Sequence, residues 1–76
     1  MQELVEYLAK GLVDKPDEVR VERVERDGTV VLEVHVAPDD VGKVIGRQGR
    51  TARALRTIVR ASGARSNERA LLEIVG

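Results

Sequence analysis

The sequence predicts an α+β fold in which three helices cover one face of a three-stranded sheet. Two apolar periodicities alternate along the 76 residues, one typical of amphipathic helices and one typical of half-buried strands. They occur in the order helix, strand, strand, helix, helix, strand, and a turn signal joins the first two strands. Each element has one apolar face to bury against the other layer, so we expect residues 1–76 to form a single domain.

The N-terminal helix is predicted over residues 2–13, where apolar side chains recur at i, i+3 and i+4. Pro16 ends it, because proline disfavours a helical conformation in the residue before it. A strand follows over residues 18–25. Its alternation changes phase at Arg23-Val24, which predicts either a bulge or the end of the buried stretch.

A hairpin is predicted at Asp27-Gly28, a pair of residues that favours two-residue turns between strands. Four apolar residues of the next strand share one face: Val30, Leu32, Val34 and Val36. The opposite face carries Glu33 and His35, so the sheet should have one covered side and one wet side. His35 is expected to be an ordinary surface or interface histidine.

Two more helices and a strand complete the prediction. Pro38 followed by two aspartates indicates the entry to a short helix that ends near Ile45. Residues 50–62 form the longest helix, with Gly63 as its expected C-cap. The last strand, residues 71–75, is a nearly continuous apolar run, which predicts an interior position in the sheet.

The basic residues are concentrated in one part of the chain, although the formal net charge is zero. From residue 43 to residue 65 there are seven basic residues and no acidic one: Lys43, Arg47, Arg50, Arg53, Arg56, Arg60 and Arg65. A local positive field attracts an anionic partner even when the total charge vanishes. The sequence therefore indicates an anion-binding region in its second half.

A G-x-x-G stretch, residues 46–49, lies inside this basic region between two predicted helices. Glycine accepts positive φ angles, so the chain can turn sharply there and another backbone can approach. The following helix begins with unpaired amides and a partial positive charge. A close turn that leads into a helix N-terminus is suited to holding a phosphate.

The residues around this stretch resemble a known family. Residues 44–50 read Val-Ile-Gly-Arg-Gln-Gly-Arg and are similar to the V-I-G-x-x-G signature of the KH domain, which binds single-stranded nucleic acid. The element order resembles the type II form of that fold. Over its whole length the chain is similar to the small stand-alone bacterial KH proteins of the KhpA family.

This resemblance implies a function and a set of partners. It implies binding of single-stranded RNA, and pairing as a homodimer or as a heterodimer with a KhpB (Jag)-like KH protein. It also implies a role in post-transcriptional regulation of the RNA-chaperone type, with links to cell elongation and division.

The expected RNA-binding residues follow from the KH mode, in which the loop clamps the backbone of about four nucleotides. They form one basic and apolar set around the loop: Lys43, Val44, Ile45, Gly46, Arg47, Gln48, Gly49, Arg50 and Arg53. The bases are expected between the two central helices and the sheet edge, against Val44, Ile45 and the aliphatic part of strand 30–36. With one aromatic residue in the chain, a stacking platform is disfavoured.

Several other classes of function are disfavoured. With no cysteine and one histidine, the chain offers no thiolate site, no catalytic constellation, and no evident cofactor or metal site, so it is not expected to be an enzyme. The loop also lacks the Gly-Lys-Ser/Thr ending of a P-loop. No segment is apolar enough to span a membrane, so a cytoplasmic protein is expected. The alternative function is a KH-fold module that assembles with other proteins and binds little RNA itself.

Overall fold

A computed structural model describes residues 1–76 and contains the six elements in the predicted order. The helices are α1 (Gln2–Leu12), α2 (Val41–Ile45) and α3 (Arg50–Arg65), and the strands are β1 (Arg20–Arg26), β2 (Thr29–His35) and β3 (Arg69–Val75). Short 3₁₀ turns lie at Pro16–Glu18, Pro38–Asp40 and Arg47–Gly49. The predicted α+β class, three helices on a three-stranded sheet, is confirmed, and the arrangement is compatible with a type II KH fold. None of the helices combines the length and apolar character needed to cross a bilayer.

The predicted hairpin joins β1 and β2. Asp27 and Gly28 have φ angles of +52° and +79°, and positive φ at both positions is what a type I′ turn requires. The antiparallel register runs without interruption from Arg26 opposite Thr29 to Arg20 opposite His35. There is consequently no bulge, and the phase change in β1 marks the second predicted possibility, the end of the buried stretch.

The exposed half of β1 contacts the rest of the fold through an ion pair instead of through buried apolar side chains. Arg23 lies on the face that Val21 occupies earlier in the strand, but it is exposed and pairs with Glu68 at 2.8 Å. This contact ties β1 to the segment that enters β3. The pairing also raises the pKa of Arg23, chiefly through its hydrogen bond with Glu68.

The core lies between the helices and the sheet face that they cover. It is entirely aliphatic and consists of thirteen residues: Val5, Ala9, Val19, Val21, Val30, Leu32, Val34, Val36, Val44, Leu55, Val59, Ala70 and Leu72. Each fully buried valine or leucine contributes about 1.5–3 kcal/mol relative to an exposed one. This core fixes the position of α2 and α3 and therefore of the loop between them.

The predicted interior position of the last strand is wrong. The strand order is β1-β2-β3, so β2 is central and β3 is an edge strand, parallel to β2. The apolar run arises because β3 has apolar residues on both faces. Leu72 is buried under the helices, whereas Leu71 faces away from them and is 51% exposed.

The predicted C-cap at Gly63 is also wrong, because α3 continues to Arg65. The helix ends in a Schellman motif, in which the amide of Glu68 donates to the carbonyl of Gly63 at 2.7 Å. Asn67 takes the left-handed position, with φ of +57°. Gly63 serves a different purpose: a Cβ there would lie 2.7 Å from the Cβ of Ala70, so glycine allows β3 to pack closely on α3.

Candidate nucleic-acid interface

The G-x-x-G residues form a tight turn between α2 and α3. Gly46, Gln48 and Gly49 have positive φ angles of +78°, +57° and +72°. The amide of Gly46 donates to the carbonyl of Gly42 at 2.9 Å, which ends α2. The amide of Gly49 then donates to the carbonyl of Gly46 at 3.1 Å, which closes the turn.

The two glycines of the loop are required for different reasons. Gly46 has φ +78° and ψ +172°, a region that is nearly restricted to glycine, and a Cβ there would collide with the side chain of Thr51. Gly49 is left-handed with open space around it. Gly46 therefore allows the loop to lie against the first turn of α3, and Gly49 supplies conformation alone.

The N-terminus of α3 faces this turn without a side-chain cap. Its N-cap residue is Gly49, which offers no side chain to its first amides. Sixteen residues of helix place the positive end of the dipole at the loop. Two exposed polar side chains lie beside this helix end. The guanidinium of Arg50 donates a hydrogen bond to the Oε1 of Gln48 at 3.1 Å. This arrangement can receive a phosphate.

Exposed arginines continue from the loop along α3. Six of them have no acidic partner within ion-pair distance: Arg47, Arg50, Arg53, Arg56, Arg60 and, at the far end of α3, Arg65. Because no carboxylate neutralises them, their charges remain available to an anionic ligand. The sequence-predicted loop and the basic helix face thus form one continuous positive surface.

Lys43 differs from these arginines, although it belongs to the same basic segment of the sequence. Its ammonium lies 3.0 Å from the carboxylate of Asp14 and 3.6 Å from that of Asp40. The hydrogen bond and opposite charge of Asp14 are the main reasons that the Lys43 pKa is raised. Its charge is locally balanced, and it adds less to the positive surface than the acid-free sequence segment indicates.

The two apolar residues before the loop lie in different environments. Val44 is fully buried in the core and supports the loop from within, so its side chain is not accessible to a ligand. Ile45 is 39% exposed and provides apolar surface beside the loop.

The expected position of the bases also changes. Val30, Leu32 and Val34 belong to the central strand and are buried, so strand 30–36 cannot line an accessible groove. The sheet edge next to α3 is β3. A shallow depression there is lined by residues of both elements: Arg56, Arg60, Ala70, Leu71, Leu72 and Glu73.

Asp40 supports the site from within the fold, a role that the sequence analysis did not assign. It is 1% exposed, and its two carboxylate oxygens accept the backbone amides of Asp14 and Lys15 at 3.3 and 3.1 Å. Burial, the largest influence, raises its pKa, but the two amides and Lys43 outweigh it and lower the pKa below its usual value. Asp40 thereby ties the start of α2 to the segment after α1. The one sequence signal for this role is the pair Asp39-Asp40 at the predicted entry to a helix.

Comparison with known proteins places the chain in a family. The family described as "KhpA/KhpB, KH domain" matches residues 2–74. The RNA-binding protein KhpA of Clostridium acetobutylicum is 49% identical over 75 residues, which cover 99% of this chain and 100% of that protein. RNA-binding protein KhpA of Aquifex aeolicus is 52% identical over 75 residues, with 99% and 95% coverage. That of Treponema pallidum is 50% identical over 74 residues, with 97% and 92% coverage. With matches of this extent, the chain belongs to the KhpA/KhpB family of KH-domain proteins.

Proposed function

We propose that this chain is one KH domain that binds single-stranded RNA, with residues 46–49 and the first turn of α3 holding the RNA backbone. The observation that carries this proposal is the glycine turn that opens directly into an uncapped helix N-terminus beside unpaired arginines. The relatives that match the whole chain are named RNA-binding proteins, which supports the same function.

In this proposal the phosphates lie against the loop, where the backbone can approach closely. Helix-terminal amides donate to the phosphate oxygens, and the arginines supply charge-assisted hydrogen bonds. Arg47 acts as a charge and Gln48 as a hydrogen-bonding group at the tip. Arg50 and Arg53 extend the contact along α3.

The bases are proposed to leave the loop past Ile45 and to follow the depression between α3 and β3. Arg56 and Arg60 border this depression on the helix side, and Leu71 borders it on the strand side. Its shallow, largely aliphatic and basic surface favours contact with backbone and base edges over stacking. We therefore expect modest affinity with strong dependence on salt.

A double substitution at the loop tip tests the proposal. Arg47→Asp/Gln48→Asp should abolish RNA binding and leave the fold intact, because both side chains are exposed and only the local field is reversed. The measurement is fluorescence anisotropy of a short labelled single-stranded RNA at two salt concentrations, with circular dichroism as a check of folding.

The matched control is Arg65→Asp/Ser66→Asp. It makes the same change in charge at the other end of α3, about 24 Å from the loop by helix length. Salt-dependent binding by the native protein and the control, but not by the loop variant, supports the proposal. Equal binding by loop variant and native protein, or by neither, would instead favour a protein-assembly module.

We also propose a cellular role and protein partners for this chain. We expect the chain to act in post-transcriptional regulation, as an RNA chaperone connected with cell elongation and division. We also expect it to pair with itself or with a KhpB-like protein, because the family description joins KhpA and KhpB. Two paired chains would present two loops to one RNA and raise the overall affinity. No catalytic step is part of this proposal.

A further inference from the structure

Three side chains with metal-binding atoms converge on the sheet face opposite the helices. The hairpin register places Glu22 on β1 directly across from Glu33 on β2, and His35 follows two residues later on the same face. The Nε2 atom of His35 lies 3.5 Å from Oε1 of Glu33 and 3.9 Å from Oε2 of Glu22. The ligand atoms of all three residues lie within 4.8 Å of one another.

Each carboxylate is oriented by an arginine through its other oxygen. Arg26 contacts Oε2 of Glu33 at 3.0 Å, and Arg20 contacts Oε1 of Glu22 at 3.0 Å. In both glutamates the oxygen without an arginine is the one that faces the histidine. Such outer contacts orient the ligands of a metal and hold them in place.

The Nε2 atom of His35 is buried and has no hydrogen-bond partner. Buried polar atoms are nearly always paired, so an orphaned one requires an explanation. If Nε2 carries its lone pair, the two carboxylate oxygens beside it are acceptors as well, so neither can satisfy it. A cation placed between the three atoms satisfies the nitrogen and both oxygens together.

We propose that Glu22, Glu33 and His35 bind a divalent transition-metal ion, with Zn²⁺ as the ion that fits them best. Zinc bonds to nitrogen and oxygen at about 2.0–2.2 Å, so the ligand atoms of a tetrahedral site lie about 3.3–3.5 Å apart. The Glu33–His35 separation of 3.5 Å already has this value. Glu22 is half-exposed and can close the remaining gap by a small side-chain movement.

The ligand types and the scaffold agree with this assignment. The two carboxylates, whose charge Arg20 and Arg26 partly offset, supply oxygen ligands, and a neutral imidazole supplies the nitrogen ligand that favours zinc over magnesium or calcium. The ligands stand on adjacent strands joined by a tight turn, which keeps them in place before the ion binds. The open side of the sheet leaves a fourth position for water.

The test uses the fact that the chain has one histidine and no cysteine, so a change in imidazole signals reports on His35 alone. Untagged, nitrogen-15-labelled protein is titrated with Zn²⁺, and the imidazole nitrogens are observed by NMR. We expect one equivalent to bind, with the larger shift at Nε2. Glu33→Gln, which keeps size and removes charge, should weaken the apparent affinity at least tenfold.

Glu25→Gln is the matched control, because Glu25 lies on the same strand as Glu22 but pairs with Arg23 and stands outside the cluster. This variant should bind Zn²⁺ as the native protein does, and melting curves should show all variants folded. Unchanged His35 signals at a tenfold excess of Zn²⁺ would overturn the proposal. Equal shifts in native protein and in Glu22→Gln/Glu33→Gln would overturn it too, because the histidine would then bind zinc without the cluster.

Discussion

Replacing Gly46 with alanine should disrupt the loop and abolish RNA binding, whereas the same change at Gly42 should be harmless. Alanine rarely adopts the backbone conformation of residue 46, and its methyl group would collide with the side chain of Thr51. Strain of this kind costs about 1–3 kcal/mol, and an overpacked contact costs a similar amount. For a domain of this size, the melting temperature should fall by on the order of 10–20 °C.

Two other glycines separate these causes. Gly49→Ala has strained φ but open space, so we expect a loss of about 1–2 kcal/mol and partial RNA binding. Gly42 lies within α2, has open space and no positive φ, so Gly42→Ala should be neutral or slightly stabilising. Thermal melts and RNA anisotropy on the three variants rank them by stability and by RNA affinity. A Gly46→Ala protein as stable and active as Gly42→Ala would contradict the assigned role of Gly46.

Asp40→Ala should be the most destabilising change among the aspartates. It would remove the acceptor for the amides of Asp14 and Lys15 and the partner of Lys43, and it would leave a buried space. Losing the acceptor of two partly buried amides and leaving a cavity are both unfavourable, so the melting temperature should fall by on the order of 10 °C. Asp39→Ala is the control, because its side chain is 85% exposed and contacts only Lys15 at 3.7 Å.

The stability that Asp40 contributes should depend on pH in a defined direction. Its pKa is lower in the folded than in the unfolded chain, so the unfolded state binds more protons in acid. The contribution is therefore complete above the usual aspartate pKa and is lost as the pH falls through the folded value. Between neutral and acidic pH, the melting temperature should fall further for the native protein than for Asp40→Asn. Equal drops would show that Asp40 does not supply this dependence.

The features that the sequence predicts well are local ones. The turn at Asp27-Gly28 needs positive φ at two adjacent residues, and the identities of these two residues are enough to predict it. The spacing of apolar residues within each segment likewise predicts strand β2 and helix α3. The G-x-x-G turn belongs to the same class, because its glycines and flanking basic residues are contiguous.

The errors come from contacts between residues far apart in the chain. Gly63 is a position of close approach to Ala70, which cannot be distinguished from a C-cap before β3 is placed. Long-range contacts also set the charge around a predicted site residue: Lys43 is charge-balanced by Asp14, which lies outside the acid-free segment. An apolar run such as that of β3 fits an interior strand or an edge strand with one exposed leucine equally well.

The predictability of the proposed metal site lies between these two cases. No pattern of consecutive residues reveals the site, and the sequence predicts only an ordinary surface or interface histidine at position 35. A two-residue turn at 27–28 nevertheless fixes the hairpin register, and counting outward places Glu22 opposite Glu33. The register was thus predictable, but the orientation of both carboxylates by arginines requires the side-chain positions.

The most direct test of the proposed RNA interface is NMR mapping with nitrogen-15-labelled native protein and a short single-stranded RNA. We expect saturable, salt-sensitive shifts in the amide signals of residues 45–53, which extend toward Arg56 and Arg60. Signals of Glu22 and His35 on the opposite sheet face should stay in place. Shifts confined to that face or to α1, with the loop signals unchanged, would contradict the claim that the G-x-x-G turn and α3 hold the RNA.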